Sequence, residues 1–299
     1  MILKAIDFAE LILLGAIWGA SFMLMRIAAP EFGVFALVEV RAVGAALCLL
    51  PIVWMRKQSR DLRRNWPHLF VVGLLNTAIP FSLYNYALSY IDSSLGAILN
   101  ATAPMFGVVV SWLYLKDHIS RSGLLGMILG FTGVVVISFD QKTSSSASLL
   151  PVFAGLGAAL CYAIAASYMK KHLSKAKPFA VAAGSQIMAA AMLLPFTLWF
   201  LPSEMPSQNA WLAAAILSIV CTGIAYVMYF DLIAKVGTSS AISVGYLIPM
   251  FGIFWGLVIL DESLSFKQVV GTALILVGVV LATNAIKLLK RRKLEARAE

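Results

Sequence analysis

Charge is what this 299-residue sequence has least of: Asp, Glu, Lys and Arg together make up 12% of it. A soluble domain carries about 25%. Hydrophobic residues reach 61%, at a mean hydropathy of +0.90. No single core could hide that much apolar surface, because cores stop growing near about 250–300 residues. A cytosolic enzyme and a disordered protein are thereby excluded. Cysteine is scarce too. Cys48, Cys161 and Cys221 all fall inside apolar runs at no metal-ligand spacing. That excludes a secreted disulfide scaffold and leaves them as small apolar filler. Histidine is limited to His68, His118 and His172, at run ends or between runs, with no HExxH spacing. There is no G-x-S-x-G elbow and no glycine-rich phosphate loop, and deep carboxylates are too few for an aspartate dyad. The expectation is no catalytic set, no metal, no cofactor and no direct use of ATP.

Long apolar runs take the place of all these. Only helical bundles and closed barrels can span a bilayer, since every backbone polar group must be satisfied without water. A barrel would show alternating segments of about ten residues, whereas a spanning helix needs about 20 apolar ones. Ten runs qualify, at about 8–28, 34–55, 68–89, 94–115, 122–139, 149–169, 179–200, 211–233, 238–260 and 268–286. The first carries only Lys4 ahead of it, ends in Arg26 and has no small-residue cleavage site, so it reads as a retained helix.

The net charge of +9 belongs to topology. With the N-terminus in the cytoplasm, the tails and even-numbered connections hold 19 of the 23 basic residues. The opposite side holds only Arg26, Lys142 and Lys267, and Arg41 lies within the second run. The positive-inside rule then places both termini in the cytoplasm, in a bacterial inner membrane. Lys287–Lys293 reads as an anchor beside anionic lipid. Lipid is thus a partner and nucleic acid is not, for want of a folded basic module. Oligomeric state is left open.

The two halves repeat. Pro104-Met105-Phe106-Gly107 recurs 145 residues later as Pro249-Met250-Phe251-Gly252. The same offset pairs Thr77 with Thr222, Tyr84 with Tyr229, Ser94 with Ser239, Asp117 with Glu262 and Gly126 with Gly271. One residue of slippage pairs Trp18 with Tyr162 and Arg26 with Lys170. Each copy holds five runs, an odd number, so the second enters the membrane upside down. Such inversion suits a transporter, because two copies of one unit can exchange conformations and so reverse the open side. The expected fold is an all-α membrane protein of ten transmembrane helices, in two inverted five-helix repeats around a central cavity. The expected units are 1–140, 141–290 and a basic cytoplasmic tail at 291–299.

These residues resemble the EamA branch of the drug/metabolite transporter superfamily. The likeness rests on Leu14-Gly15-Ala16-Ile17-Trp18-Gly19-Ala20-Ser21-Phe22, on Arg41 followed by small residues, and on Pro104 and Pro249 with carboxylates thirteen residues on. Two departures stand out. Asp117 occupies a position where the family usually has glutamate, and Gln186 stands where Arg41 would be mirrored. The resemblance implies a helical basket with a central cavity, and export of amino acids or other small metabolites, including aromatic or cationic ones.

Candidate site residues follow from helix geometry. Proline inside a helix frees a carbonyl, and paired interruptions in two halves point to a transporter's site. Asn100, Pro104, Gly107 and Ser111 share one helix face, and their mates are Gly245, Pro249, Gly252 and Gly256. These faces line a cavity or form a close-packed seam. Trp18, Ser21, Phe22 and Met25 form a second face, and Thr222, Tyr226 and Tyr229 a third, suited either to a planar or cationic solute or to plain packing. Tyr84 and Tyr246 complete the substrate-binding set. Arg41 braces a neighbouring helix, attracts an anionic group or snorkels. Glu39, on a different helix face, is a proton carrier if it faces the cavity. Asp117 and Glu262 are loop caps or gates, and Ser265 with Gln268 reads as a capping box. The expected function is secondary transport by alternating access, exporting small metabolites such as amino acids, aromatic ones included, or amphipathic cations. The alternative is a non-transport integral membrane protein, an intramembrane enzyme or receptor-like scaffold.

Overall fold

The computed structural model describes residues 5–138 and 149–283. The tail at 291–299, the Lys287–Lys293 anchor, Lys4 and Lys142 lie outside these. Among the described residues there are helices and no strands. The long helix α1 (Ala5–Met55) is followed by α2 (Trp66–Leu88), α3 (Ser93–Leu115), α4 (Arg121–Ser138), α5 (Leu150–His172), α6 (Pro178–Trp199), α7 (Gln208–Val236), α8 (Val244–Ile259) and α9 (Phe266–Ala282).

Helix α1 is two spans in one. Its regular geometry breaks only at Gly33, with φ 75° and ψ 175°. A side chain rarely tolerates that backbone, whereas glycine does. The connection expected at 29–33 therefore shrinks to one residue, and Pro30 stays within the helix. Counting both arms of α1, ten apolar helical segments result.

Side chains such as Leu47, Phe153, Leu198 and Leu212 remain exposed. Such a belt would be an aggregation hazard in water but is the solvent face in lipid.

The halves are related by reciprocal contacts. A Cβ on Gly126 would lie 2.4 Å from the Gly278 carbonyl oxygen, and one on Gly133 2.6 Å from that of Gly271. The 145-residue offset exchanges these two contacts, so α4 and α9 pack along a glycine seam about a pseudo-two-fold axis. Helices α3 and α8 end alike. Lys116 (φ 59°) and Asp261 (φ 51°) turn left-handed. The next N–H then bonds back, from Asp117 to the Ser111 carbonyl (3.2 Å) and from Glu262 to that of Gly256 (3.1 Å). At the start of α9 the Ser265–Gln268 capping box is complete.

The prolines differ. Helix α3 is interrupted at residues 101–102, just before Pro104, whereas Pro249 lies inside the continuous α8. The break in the second copy falls earlier, at 242–243.

Candidate functional site

A cavity of about 550 Å³ lies between the repeats. Its wall is built by both arms of α1 and by α2, α3, α5, α6, α7 and α8, while no residue of α4 or α9 reaches it. Trp18, Ser21, Phe22, Tyr84, Asn100, Pro104, Tyr226, Tyr229, Gly245 and Arg41 all line it.

The other candidates fall elsewhere. Tyr246 is one residue, about 100° of helix, past Gly245, and its hydroxyl pairs with Thr283 Oγ1 at 2.8 Å. Pro249 is buried in packing, and Gly252 of the same face abuts Ala97. Glu39 is off the wall, and its Oε2 is buried without a partner among the described residues. Asp117 and Glu262 sit at opposite ends of the bundle.

Aromatic rings give the wall its character. Trp18 and Tyr229 meet at 5.2 Å, Phe22 and Tyr84 edge to face at 5.3 Å, and Tyr84 stacks with Tyr162 at 6.2 Å. Three of the polar handles have partners. Trp18 Nε1–H donates to the Cys221 carbonyl (3.1 Å), Tyr84 O–H to Asn100 Oδ1 (3.2 Å) and Asn76 to the Tyr226 hydroxyl (3.3 Å). What faces the void is therefore largely ring and methylene. Tyr162, Asn76, Phe81 and Ser185 were not among the candidates, yet they line the same wall. The repeat carried a signal for Tyr162, the mate of Trp18. Asn76 and Ser185 carry no distinguishing pattern.

Two widened helical turns, Leu74–Ala78 and Ile219–Ile224, occupy equivalent places in α2 and α7. Such turns free backbone carbonyls and occur often at functional sites. Each holds a threonine gripped from the other repeat. Arg41 Nε donates to Thr222 Oγ1 at 2.9 Å, and Gln186 Nε2 donates to Thr77 Oγ1 at 3.0 Å. Arg41 and Gln186 are mates under the 145-residue offset, as are the two threonines.

The ends of the bundle differ. At one end the cavity wall runs out through Leu173, Ala176 and Val244 to the exposed Pro178 and Ile242. Ion pairs ring that end: Lys235 with Glu10 at 2.7 Å, Arg56 with Asp231 at 3.5 Å and Lys170 with Asp117 at 3.4 Å. At the other end, among the described residues, no connecting residue lines the cavity, and the repeats are tied together. Glu262 accepts the backbone N–H groups of Ser93 (2.7 Å) and Ser94 (3.0 Å) and the Ser94 hydroxyl. This carboxylate caps the start of α3 from across the repeat boundary, a favourable place for negative charge. Glu31 likewise accepts the N–H (2.6 Å) and hydroxyl (2.9 Å) of Ser207. Arg26 donates to the Leu88 carbonyl at 2.6 Å. Beside Glu262 sits Asp92, whose carboxyl is pushed above its ordinary value by burial and by the Glu262 charge, against the pull of Arg26. Among the described residues no group of His, Cys, Asp and Glu could hold a metal ion.

Comparison with known proteins agrees with this architecture. The EamA-like transporter family matches residues 9–139 and 149–284. Uncharacterized transporter YvbV of Bacillus subtilis is 26% identical over 275 residues, covering 90% of this chain and 89% of its own length. An uncharacterized transporter of Archaeoglobus fulgidus is 28% identical over 277 residues, covering 89% and 93%. The uncharacterized inner membrane transporter YedA of Escherichia coli is 24% identical over 284 residues, covering 92% and 90%. A crystal structure 22% identical in sequence shares the fold, with a TM-score of 0.63 over 96% of this chain and 97% of that one. With two matched segments spanning almost its whole length, the chain belongs to the EamA-like transporter family and is a multi-pass integral membrane protein.

Proposed function

We propose that the protein is a secondary transporter working by alternating access, which exports small metabolites with a flat apolar body, aromatic amino acids among them. The carrying observation is a cavity between two repeats that, among the described residues, runs out to one end of the bundle, while Glu262 ties the repeats together at the other. The working units are 1–140 and 141–290. The end ringed by basic residues is cytoplasmic in this reading, which puts both termini there and makes the present form inward-facing. A metabolite enters between α6 and α8, and its ring lies among Trp18, Tyr84, Tyr162 and Tyr229. Opening the far end requires the Glu262 and Glu31 contacts to part. A host inner membrane is the natural site for such a protein.

Counterflow in proteoliposomes tests this. Protein-containing vesicles are loaded with unlabelled amino acids or aromatic solutes and offered one labelled tracer at a time. Transient accumulation of tracer is the expected result. Folded protein that gives no accumulation with amino acids, aromatic acids, amides or amines would overturn the reading.

A further inference from the structure

Among the described residues, the cavity wall holds a buried cation and no anion to match it. Arg41 is only 6% exposed and lies on the cavity wall. No Asp or Glu lines that wall, and Arg41 forms no ion pair among the described residues. A guanidinium offers five N–H groups. One goes to Thr222 Oγ1 and one to Met25 Sδ at 3.6 Å, while the Phe81 ring covers one face at 3.8 Å. The remaining donors have no acceptor among the described residues.

The second repeat is an internal control. Gln186 grips Thr77 as Arg41 grips Thr222, yet it is uncharged, fully buried and off the cavity wall. Bracing the widened turn thus needs a hydrogen-bond donor and no charge. The positive charge of Arg41 is surplus to bracing, and a buried charge is costly unless paired. The copy that bears the charge is the one that faces the void.

We infer that Arg41 binds the carboxylate of an organic monoanion whose flat apolar body lies against Trp18, Tyr84, Tyr162 and Tyr229. The assignment rests on the transporter reading and names its substrate class. A monocarboxylate brings the cavity to neutrality and takes the free N–H groups, a pairing of good geometry for guanidinium. A zwitterionic amino acid leaves a net positive charge in place, and an amphipathic cation adds a second. Both are weaker ligands on this view.

Matched probes test it on the full-length protein: phenylacetate and 3-phenylpropionate, their amides, phenylalanine and 3-phenylpropylammonium. Affinity is read by calorimetry and transport by counterflow. Both carboxylates bind about 10- to 100-fold more tightly than their amides, as expected for charge-assisted hydrogen bonds. Arg41→Gln copies the Gln186 bracket, so it keeps the melting temperature and loses that preference. Arg41→Lys retains part of it. An amide or the ammonium binding as tightly as the carboxylates would overturn the assignment, as would absence of carboxylate binding or unchanged carboxylate affinity in a folded Arg41→Gln protein. The wild-type ratio needs no variant and decides the matter if that variant fails to fold. Counterflow of the amides, phenylalanine or ammonium without the carboxylates sinks this assignment alone. Silence across the whole panel sinks the transport reading with it.

Discussion

Glu262→Gln is the substitution that bears most directly on how the closed end is held. The native carboxylate accepts two backbone N–H groups and one hydroxyl. Hydrogen bonds to a charged group contribute about 1.5–3 kcal/mol each, against about 0.5–1.5 for neutral ones. The amide keeps one acceptor oxygen, loses the charge at the start of α3, and turns its own NH₂ donor toward a second N–H. A net loss of about 3 kcal/mol in closure follows, or roughly a 150-fold shift toward the open end, since each 1.4 kcal/mol is tenfold. Hydrogen exchange reads this directly. Amides over residues 93–97 should exchange faster in the variant, while those along the α4–α9 glycine seam stay as protected as before. Glu262→Asp, one methylene short, should fall between. Unchanged exchange at 93–97 in a folded Glu262→Gln protein would refute the latch.

Other substitutions probe other parts of the fold. Because burial first and the Glu262 charge second raise the Asp92 carboxyl, the closed end binds a proton more tightly than a form in which the two acids separate and water reaches Asp92. Acidification through the window between the ordinary and raised values stabilises closure, and the gain is lost as pH rises through the raised value. Exchange at 93–97 should slow as pH falls, after correction for the intrinsic rate, and Asp92→Asn should abolish that trend. Gly126→Leu puts a side chain where even a Cβ meets the Gly278 backbone, so a cost of about 1–3 kcal/mol in stability is expected, measured as a lowered melting temperature. Trp18→Ala removes both a ring and the donor to the Cys221 carbonyl, and should weaken substrate affinity more than Tyr229→Ala, with expression of both unchanged. Equal transport kinetics in all three proteins would return these rings to packing.

The sequence was most readable where lipid is the solvent. Apolar runs had nowhere else to go, and their number survives in the structure once the turn at Gly33 is seen as a single residue. The site was partly readable for a different reason. Helix faces follow from a 100° rotation per residue, so Trp18, Ser21 and Phe22 could be grouped before any contact was known. Repetition then misled at Pro249, whose mate Pro104 lines the cavity. Equivalent residues in an inverted pair share a local environment but not a side of the molecule once the two halves adopt different shapes. Tyr246 failed because its position was one residue from a facing one. Asn76 and Ser185 were invisible, since a lone polar residue in an apolar run announces burial or a cavity equally well.

What separates the halves is more informative than what they share. The threonine grips, the glycine seam and the left-handed helix ends are all made twice, and none of them distinguishes one end of the bundle from the other. The carboxylates that follow those ends are treated differently. Glu262 reaches the start of α3 in the opposite repeat, whereas Asp117 stands about half exposed at 3.4 Å from Lys170. Shared scaffolding with unequal latches is what the proposed alternating-access cycle requires of one of its two states. The scaffold contacts can persist through an exchange of shape because each has its image in a second contact under the symmetry, so the exchange swaps the members of a pair. On the alternating-access reading only the unmatched contacts differ, and the balance between inward- and outward-facing forms would be carried by a few groups: Glu262, Glu31 and Asp92 at one end, Asp117 and Lys170 at the other. A ligand on Arg41 couples to that balance in the same way. Its charge has no counterpart at Gln186, so the symmetry does not make its energy equal in the two states.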